Sequence, residues 1–198
     1  LENGLVKPED QPRFLNRIHQ EADRLVSLIN DILRLSQLDE GGALPHEQVS
    51  VLELAQAAAR SLTAQAAAQA VHISVTGTAG TVFGVRRLLY EIARNLCENA
   101  VKYNVPGGSV TVEVTETDRD VTLLVRDTGI GIPEGDQSRV FERFYRVDKS
   151  HSRAIGGTGL GLSIVKHAVA YHHGTLRLES QPGKGTVITV TLPKEPTE

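Results

Sequence analysis

One helix-length stretch decides how this chain folds: Tyr90-Glu-Ile-Ala-Arg-Asn-Leu-Cys-Glu-Asn-Ala-Val-Lys-Tyr103. Spacings of i, i+4, i+7 and i+8 place four of its polar residues on one helical face, namely Asn95, Asn99, Lys102 and Tyr103. The opposite face is apolar and can pack on a sheet, through Leu88, Leu89, Ile92, Leu96 and Ala100. Amide oxygens suit Mg²⁺ and a lysine suits phosphate, although a merely solvated polar face is the alternative for this helix alone.

The composition is that of a globular protein with room for one domain and an appendage. The 198 residues are 40% hydrophobic and 23% charged. A net charge of −3 gives no support to nucleic-acid binding. The sequence contains neither a membrane-spanning apolar run nor a signal peptide, and Cys97 cannot form an internal disulfide. We therefore expect a cytoplasmic location, a buried thiol and, since Leu1 is not methionine, a fragment of a longer protein.

Residues 11–39 are predicted to form a long helix from a bundle or coiled coil. Its apolar residues recur three and four apart: Leu15, Ile18, Ala22, Leu25, Ile29 and Ile32. Such a helix is about 40 Å long and cannot bury this seam alone. We therefore expect a partner helix and self-association, with the helix ending at Gly41-Gly42.

From Leu44 onward, helix and strand patterns indicate an α+β domain. Ser50-Val-Leu-Glu53 is a capping box that opens an alanine-rich helix to about Ala70. The further expected elements are a strand at 72–75, a helix at 86–103, a hairpin of 110–117 with 120–126, a helix at 162–171 and a hairpin of 175–180 with 186–192. Strands covered by a layer of helices predict a two-layer α/β sandwich.

Two glycine-containing motifs suit contact with a ligand. Asp127-Thr-Gly-Ile-Gly131 puts a carboxylate at a strand end, where it can accept from an amino group on a flat base. Gly156-Gly-Thr-Gly-Leu-Gly161 leads into a helix and offers N–H groups to phosphates. Each motif alone is also compatible with an ordinary turn. The second motif is neither a Walker A sequence nor a dinucleotide-binding fingerprint.

The loop between these motifs, Ile132 to Ile155, is longer than most connections and favours a functional lid. It contains Phe141-Glu-Arg-Phe-Tyr-Arg146. Phe141 and Phe144 suit a hydrophobic staple that holds the loop down. Arg143 and Arg146 either face solvent, or one of them reaches a phosphate.

In this order, the four motifs resemble the N, G1, F and G2 boxes of sensor histidine kinases. These kinases share a superfamily with DNA gyrase B, heat-shock chaperones and mismatch-repair ATPases. The resemblance covers essentially the whole chain, because residues 10–15, 21–25 and 29–38 look like the second dimerisation helix. It implies an α+β fold, a two-layer α/β sandwich of the Bergerat type preceded by a long bundle-type helix. Residues 1–42 would be a partial dimerisation region and residues 43–198 the catalytic ATP-binding domain.

The resemblance implies roles for the polar helix face and the lid. Asn95 and Asn99 would hold Mg²⁺ and the phosphates of ATP. Lys102 and Tyr103 would contact the nucleotide, and Arg146 would stabilise the γ-phosphate. The implied catalytic side chains are Asn95, Lys102 and Arg146.

The resemblance also implies a pocket for adenine and a loop around the phosphates. Asp127 would accept the adenine amino group, while Gly129 and Gly131 shape the pocket. The residues expected to wrap the phosphate chain are Gly157, Thr158, Gly159, Leu160 and Gly161. Two departures from the family pattern, Arg153-Ala-Ile-Gly156 and His172-His173-Gly174, leave these contacts untouched.

Asn95 distinguishes phosphoryl transfer from hydrolysis. Gyrase-like and chaperone members carry a water-activating glutamate there, four residues before the metal-binding Asn, and an amide cannot act as a base at neutral pH. Glu91 lies a further turn away, and Glu98 is about 100° round the helix from Asn99. We expect a kinase, with a superfamily ATPase and a degenerate dimerising signalling module as alternatives.

The family's phospho-acceptor is a histidine followed by Glu or Asp on the first dimerisation helix, and none of the seven histidines matches it. His19, followed by Gln-Glu, lies in the second helix and is expected to be a surface residue. We therefore expect the acceptor upstream of Leu1, so that this fragment binds ATP without phosphorylating itself. The implied partners are a second copy through the bundle and a response-regulator receiver domain, with no nucleic acid, in a membrane-anchored sensor.

Overall fold

The computed structural model describes residues 7–39, 44–147 and 158–195. A 3-10 turn at Pro8–Asp10 precedes the first helix. The helices are α1 (Gln11–Asp39), α2 (Val51–Ser61), α3 (Thr63–Ala68), α4 (Arg86–Lys102), α5 (Glu134–Gln137) and α6 (Gly161–Tyr171). The strands are β1 (Glu47–Ser50), β2 (His72–Gly77), β3 (Thr81–Gly84), β4 (Ser109–Glu116), β5 (Asp120–Asp127), β6 (Thr175–Gln181) and β7 (Gly185–Pro193). In the part of the chain so described, no helix is long and apolar enough to cross a membrane.

A five-stranded sheet forms one layer of the domain, in the order β2-β4-β5-β7-β6. Strand β2 runs parallel to β4, and the other pairs are antiparallel. Alternate residues of the central strands are buried against the helices, as period-2 patterning requires: Val110, Val112, Val114, Val121, Leu123 and Val125. The predicted two-layer α/β sandwich is confirmed.

Helix α4 packs on this sheet through the apolar face that its sequence predicts. The side chains of that face, Leu88, Leu89, Ile92, Leu96 and Ala100, are all at most 5% exposed. Cys97 is buried on the same helix, and burial raises the pKa of its thiol to about 12. The polar stripe of α4 is therefore left facing away from the core.

The alanine-rich segment forms two helices rather than one, because hydroxyl side chains interrupt it. Ser61 Oγ donates to the Ala58 carbonyl at 2.7 Å, and Thr63 Oγ1 donates to the Arg60 carbonyl at 2.9 Å. Such bonds compete with the helical ladder for carbonyl groups. Leu62, between the two helices, is buried and non-helical, with φ −102° and ψ 3°.

A small antiparallel sheet of β1 and β3 was not predicted from the sequence. Its two central residues, Val49 and Val82, face each other and are fully buried. Four-residue strands are too short for alternation to show. The capping box is confirmed at its Ser end, since Ser50 Oγ accepts from the Glu53 N–H at 3.3 Å.

The long helix α1 is confirmed over residues 11–39. Leu28 packs against Leu160 and Ile164 at the start of α6. Other large apolar side chains of α1 are 45–58% exposed: Phe14, Leu15, Ile18, Leu25, Val26 and Ile29. Over the described side chains up to Ile29, the seam is thus largely unburied within one chain. The predicted helix end at Gly41-Gly42 lies outside the described residues.

His172 joins the end of β3 to the end of α6. Its ring is buried, Nδ1 donates to the Ala168 carbonyl at 2.7 Å, and Nε2 accepts from the Val85 N–H at 3.0 Å. A Cβ on Gly84 would lie 2.6 Å from this ring, so the backbone approaches it closely. Burial lowers the pKa of His172, with smaller lowering contributions from His46 and His173.

His172 should make stability depend on pH. The neutral ring accepts from Val85, so the folded state binds a proton less readily than the unfolded chain, whose histidine pKa is about 6.5. Stability should therefore fall as pH drops below that value, and continue to fall until the lowered folded pKa is passed. In His172→Gln this pH-dependent part of the free energy of unfolding should disappear. Urea unfolding between about pH 8 and about pH 5 measures the free energy of unfolding at each pH.

The exposed His72→Gln variant is the control. If the free energy of unfolding of His172→Gln changed with pH as steeply as that of the parent, the assignment to His172 would be contradicted.

Candidate active site

The polar stripe of α4 lies against the first residue of α6. A Cβ placed on Gly161 would be 2.9 Å from Asn95 Oδ1 and 3.8 Å from Asn99 Nδ2. The first distance is tighter than a normal Cβ contact, so glycine lets the backbone approach Asn95 closely, while the second is an ordinary contact with Asn99. Both amide side chains are half-buried. The structure thus brings together the helix motif and the end of the glycine-rich motif, which the sequence separates by about sixty residues.

Both acidic residues near Asn95 are engaged. The Asn95 Nδ2 group donates to the Glu91 carbonyl at 2.8 Å and to Glu91 Oε2 at 3.3 Å. Glu98 forms an i,i+4 ion pair with Arg94, with 3.3 Å between Oε2 and Nη2. The contact between Glu91 and the Asn95 side chain was not predicted from the sequence, although the i,i+4 spacing of the two residues could have indicated it.

Lys102, Tyr103 and Arg146 share one electrostatic environment. The Lys102 Nζ lies 5.7 Å from the centroid of the Tyr103 ring. Burial lowers the pKa of Lys102, Glu98 opposes this shift, and Arg146 adds to it. Burial raises the pKa of Tyr103, and Arg146 opposes that shift. The positive charge of Arg146 in the lid loop therefore affects the pKa values at the C-terminal end of the polar stripe.

Asp127, the last residue of β5, has one oxygen held by the backbone. Oδ1 accepts from the Gly129 N–H at 2.8 Å and from the Thr186 N–H at 3.2 Å. No hydrogen bond from a described residue reaches Oδ2. Burial raises the pKa of this carboxyl, and the two N–H donors oppose the shift. The side chain is thus fixed in orientation while one acceptor stays open to a ligand.

The glycines after Asp127 fit between two other elements. A Cβ on Gly129 would lie 2.3 Å from the Tyr103 carbonyl oxygen. Gly131 has φ +68°, and a Cβ there would lie 2.1 Å from the Gln181 carbonyl oxygen. The Ile130 N–H donates to the Tyr103 carbonyl at 3.1 Å. The motif is therefore packed between the end of α4 and the turn joining β6 to β7.

A polar network that the sequence did not reveal ties the same parts together. Asn104 Nδ2 donates to the carbonyls of Ala100 and Ser109, both at 3.0 Å. Thr128 Oγ1 donates to Asn104 Oδ1 at 3.3 Å and accepts from the Ser109 N–H at 2.9 Å. An asparagine directly after a helix is a capping signal that could have indicated it.

The lid segment contacts the glycine-rich motif through the backbone. The Phe144 N–H donates to the Gly159 carbonyl at 3.0 Å, and Gly159 has φ +74°. Phe144 is 57% exposed, so a hydrophobic staple is wrong for this residue. Leu160 is fully buried, which leaves only its backbone to face a ligand. Thr158 Oγ1 accepts from the Leu160 N–H at 3.3 Å.

Side chains hold the lid at two further points. The Tyr145 hydroxyl donates to Asp136, and the Arg139 guanidinium lies 4.3 Å from the centroid of the Tyr145 ring. On the other side, Arg143 Nη2 is 3.3 Å from His167 Nε2 of α6. The segment that precedes Arg146 is therefore anchored to α5 through Tyr145 and to α6 through Arg143.

Some predicted features lie outside the described residues, namely Gly157 and Arg153-Ala-Ile-Gly156. Within the described ranges, no group of three or more His, Cys, Asp or Glu side chains could hold a metal ion. A cation at this site would instead take amide oxygens, which are hard ligands suited to Mg²⁺.

Two protein families match the sequence. Residues 84–196 match the histidine kinase-, DNA gyrase B- and HSP90-like ATPases. Residues 1–41 match the His Kinase A (phospho-acceptor) domain. The chain belongs to the sensor histidine kinases. Its α+β architecture is that of their catalytic domains.

Individual relatives agree with this family. The sensor-like histidine kinase SenX3 of Mycolicibacterium smegmatis is 41% identical over 99% of this chain and 53% of its own length. The chain thus spans about half of that relative. The mycobacterial sensor histidine kinase MprB matches with a TM-score of 0.67 and 33% identity, covering 77% of this chain and 100% of MprB. Full-length ShkA in complex with AMPPNP matches with a TM-score of 0.78 and 27% identity, covering 98% of this chain and 40% of ShkA.

Substitution of Gly131 should be far more costly than substitution of Gly183. Both have positive φ, +68° and +74°, but a Cβ on Gly183 meets nothing within 4 Å. Gly183→Ala should cost about 1 kcal/mol for the left-handed backbone alone. Gly131→Ala should cost about 1–3 kcal/mol more, because its Cβ would collide with Gln181. Guanidinium unfolding of both variants tests this; equal losses would show that the turn has room to move.

Proposed function

We propose that this chain is the ATP-binding core of a protein-histidine kinase. It would transfer the γ-phosphoryl group of ATP to a histidine for relay to an aspartate of a response-regulator receiver domain. The observation that carries this proposal is the contact of Gly161 with Asn95 and Asn99, which joins the two motifs expected at the phosphates. In this proposal, residues 1–42 belong to the dimerisation region and residues 43–198 form the catalytic domain.

Asp127 is proposed to recognise adenine. Its Oδ1 is held by two backbone N–H groups, so its open Oδ2 can accept from the exocyclic amino group. Gly129 and Gly131 support the pocket by allowing the backbone to pack against Tyr103 and Gln181 without side chains between them.

The phosphates and Mg²⁺ are proposed to lie along the polar stripe of α4. Asn95 and Asn99 offer amide oxygens to the metal, and Lys102 and Arg146 offer positive charge to the γ-phosphate. When bound, Mg²⁺ would neutralise charge on the β- and γ-phosphate oxygens. The backbone of Thr158, Gly159, Leu160 and Gly161, together with Gly157, would wrap the phosphate chain at the N-terminus of α6. The Leu160 N–H already donates to Thr158 Oγ1, so the N–H groups of its neighbours are the proposed phosphate donors.

A kinase is favoured over a hydrolase because, among the described residues of α4, an amide stands where hydrolases of the superfamily carry a glutamate. Asn95 is an amide, Glu91 is buried behind it, and Glu98 pairs with Arg94. Catalysis would therefore rest on positioning and charge stabilisation rather than on proton abstraction from water.

The proposed partners are a second copy of the chain and a receiver domain. The 45–58% exposed apolar side chains of α1 supply a surface for a helical bundle in a homodimer. We further propose that the full-length protein is membrane-anchored and that it has no nucleic-acid partner, which agrees with the net charge of −3.

Replacement of Asp127 by Asn should change base recognition without breaking the turn. The amide oxygen of Asp127→Asn can still accept from Gly129 and Thr186, which places an NH₂ group where Oδ2 was. That group would face the adenine amino group donor to donor, so ATP-analogue affinity should fall about tenfold to a hundredfold. Calorimetry measures this with non-hydrolysable analogues of ATP and of ITP, whose base carries a carbonyl instead.

The ITP analogue is the internal control for that measurement. Its affinity should fall less than that of the ATP analogue, or rise, because Asn can donate to the carbonyl. Equal affinity of the parent and Asp127→Asn for the ATP analogue would rule out adenine recognition by this residue.

The chain is proposed not to phosphorylate any of its own histidines. Incubation with γ-labelled ATP should leave it unlabelled, whereas a protein that also contains a first dimerisation helix with the family's acceptor histidine should become labelled. His19→Gln serves as the control for the candidate histidine on α1. Label at His19 would contradict the domain assignment, and steady phosphate release that is lost in Asn95→Ala would favour a hydrolase.

A further inference from the structure

The Asn95 side chain has two chemically opposite ends, and its surroundings decide which end faces the phosphates. Its NH₂ group donates to the Glu91 carbonyl at 2.8 Å and to Glu91 Oε2 at 3.3 Å. Its oxygen lies on the other side, 2.9 Å from the position that a Cβ on Gly161 would occupy. The oxygen is therefore presented toward the glycine-rich motif and the nitrogen toward the helix behind it.

We propose that Glu91 is a positioning residue that acts through Asn95 to present the amide oxygen to the metal ion. This inference rests on the proposed function, since it requires a metal-nucleotide at the polar stripe. Glu91 is 7% exposed and sits one helical turn before Asn95. It orients the side chain that would contact the metal, and it has no role as a base.

The carboxyl group adds selectivity that the helix backbone alone lacks. An amide nitrogen has two hydrogens, and the carbonyl and carboxylate of Glu91 supply an acceptor for each. A flipped amide would instead set its oxygen against both of those oxygens and aim NH₂ at a cation. Without the carboxylate only the carbonyl opposes the flip. Partners behind a metal ligand commonly tune affinity in this way.

The experiment measures metal dependence rather than activity. Calorimetry of the 198-residue chain with AMPPNP yields one dissociation constant in EDTA and one in Mg²⁺. The quantity compared is the ratio of the EDTA value to the Mg²⁺ value, which is large when the metal strengthens binding. In Glu91→Leu this ratio should fall about tenfold, because the amide is free to flip. Glu91→Asp should show a similar loss, since its shorter side chain withdraws the oxygen by one methylene. Glu91→Gln should keep the parent ratio, because its amide oxygen still accepts from Asn95.

Two further arms separate positioning from other effects. In an Asn95→Ala background, Glu91→Leu should change the ratio no further, because the residue through which it acts is gone. Thermal unfolding checks that each variant is folded. If Glu91→Leu does not fold, the comparison is made with Glu91→Asp instead.

Three results would overturn the inference. Unchanged ratios in Glu91→Leu and Glu91→Asp would show that Asn95 needs no such partner. A loss in Glu91→Gln as large as in Glu91→Leu would show that the charge of Glu91 matters and its orientation of Asn95 does not. Absence of AMPPNP binding by the parent chain would overturn the proposed function itself, which distinguishes that failure from the other two.

Discussion

The close contact between the end of α4 and the turn after β5 is the constraint on which the site depends. The Tyr103 carbonyl accepts from the Ile130 N–H, and the missing side chain of Gly129 allows the approach. Because α4 is packed on the sheet by a fully apolar face, this junction sets where Asp127 lies relative to Asn99. The proposed base-binding group on a strand and the proposed phosphate-binding face on a helix thereby acquire a fixed separation.

The electrostatics of the site follow from partial burial of charged groups. Lys102 has a lowered pKa and Asp127 a raised pKa, both mainly because burial disfavours the charged form. A ligand that brings opposite charge or a hydrogen-bond donor relieves part of that cost. The half-buried polar groups therefore suit a polyanion at one end of the cleft and a neutral amino donor at the other. A nucleoside triphosphate such as ATP carries its negative charge and its amino donor in this arrangement.

Much of the architecture was accessible from sequence because it rests on local periodicity. Helix α4, helix α1 and both hairpins each repeat a pattern long enough to read. The β1 and β3 strands have four residues each, and Leu62 interrupts a helix that composition alone would continue. Those details depend on tertiary burial and on hydroxyl competition for carbonyls, which no short pattern encodes.

The site shows the same division between local and distant information. The residues proposed to face the ligand could be selected from the sequence, since each lies within a short motif. Their supports were not: Thr186 reaches Asp127 across 59 residues, and only the pairing of β5 with β7 brings them together. Glu91 differs from Thr186, because it lies only four residues before Asn95. Its contact was nevertheless not predicted, since the contact depends on which way the buried Glu91 side chain points.

The backbone bond from Phe144 to Gly159 couples the lid segment to the glycine-rich motif. Phe144 holds φ +65°, a left-handed conformation that costs a non-glycine residue about 1–3 kcal/mol. The bond between its N–H and the Gly159 carbonyl is one of the contacts that hold it in that conformation. A ligand that orders one of these two segments would therefore lower the entropy cost of ordering the other.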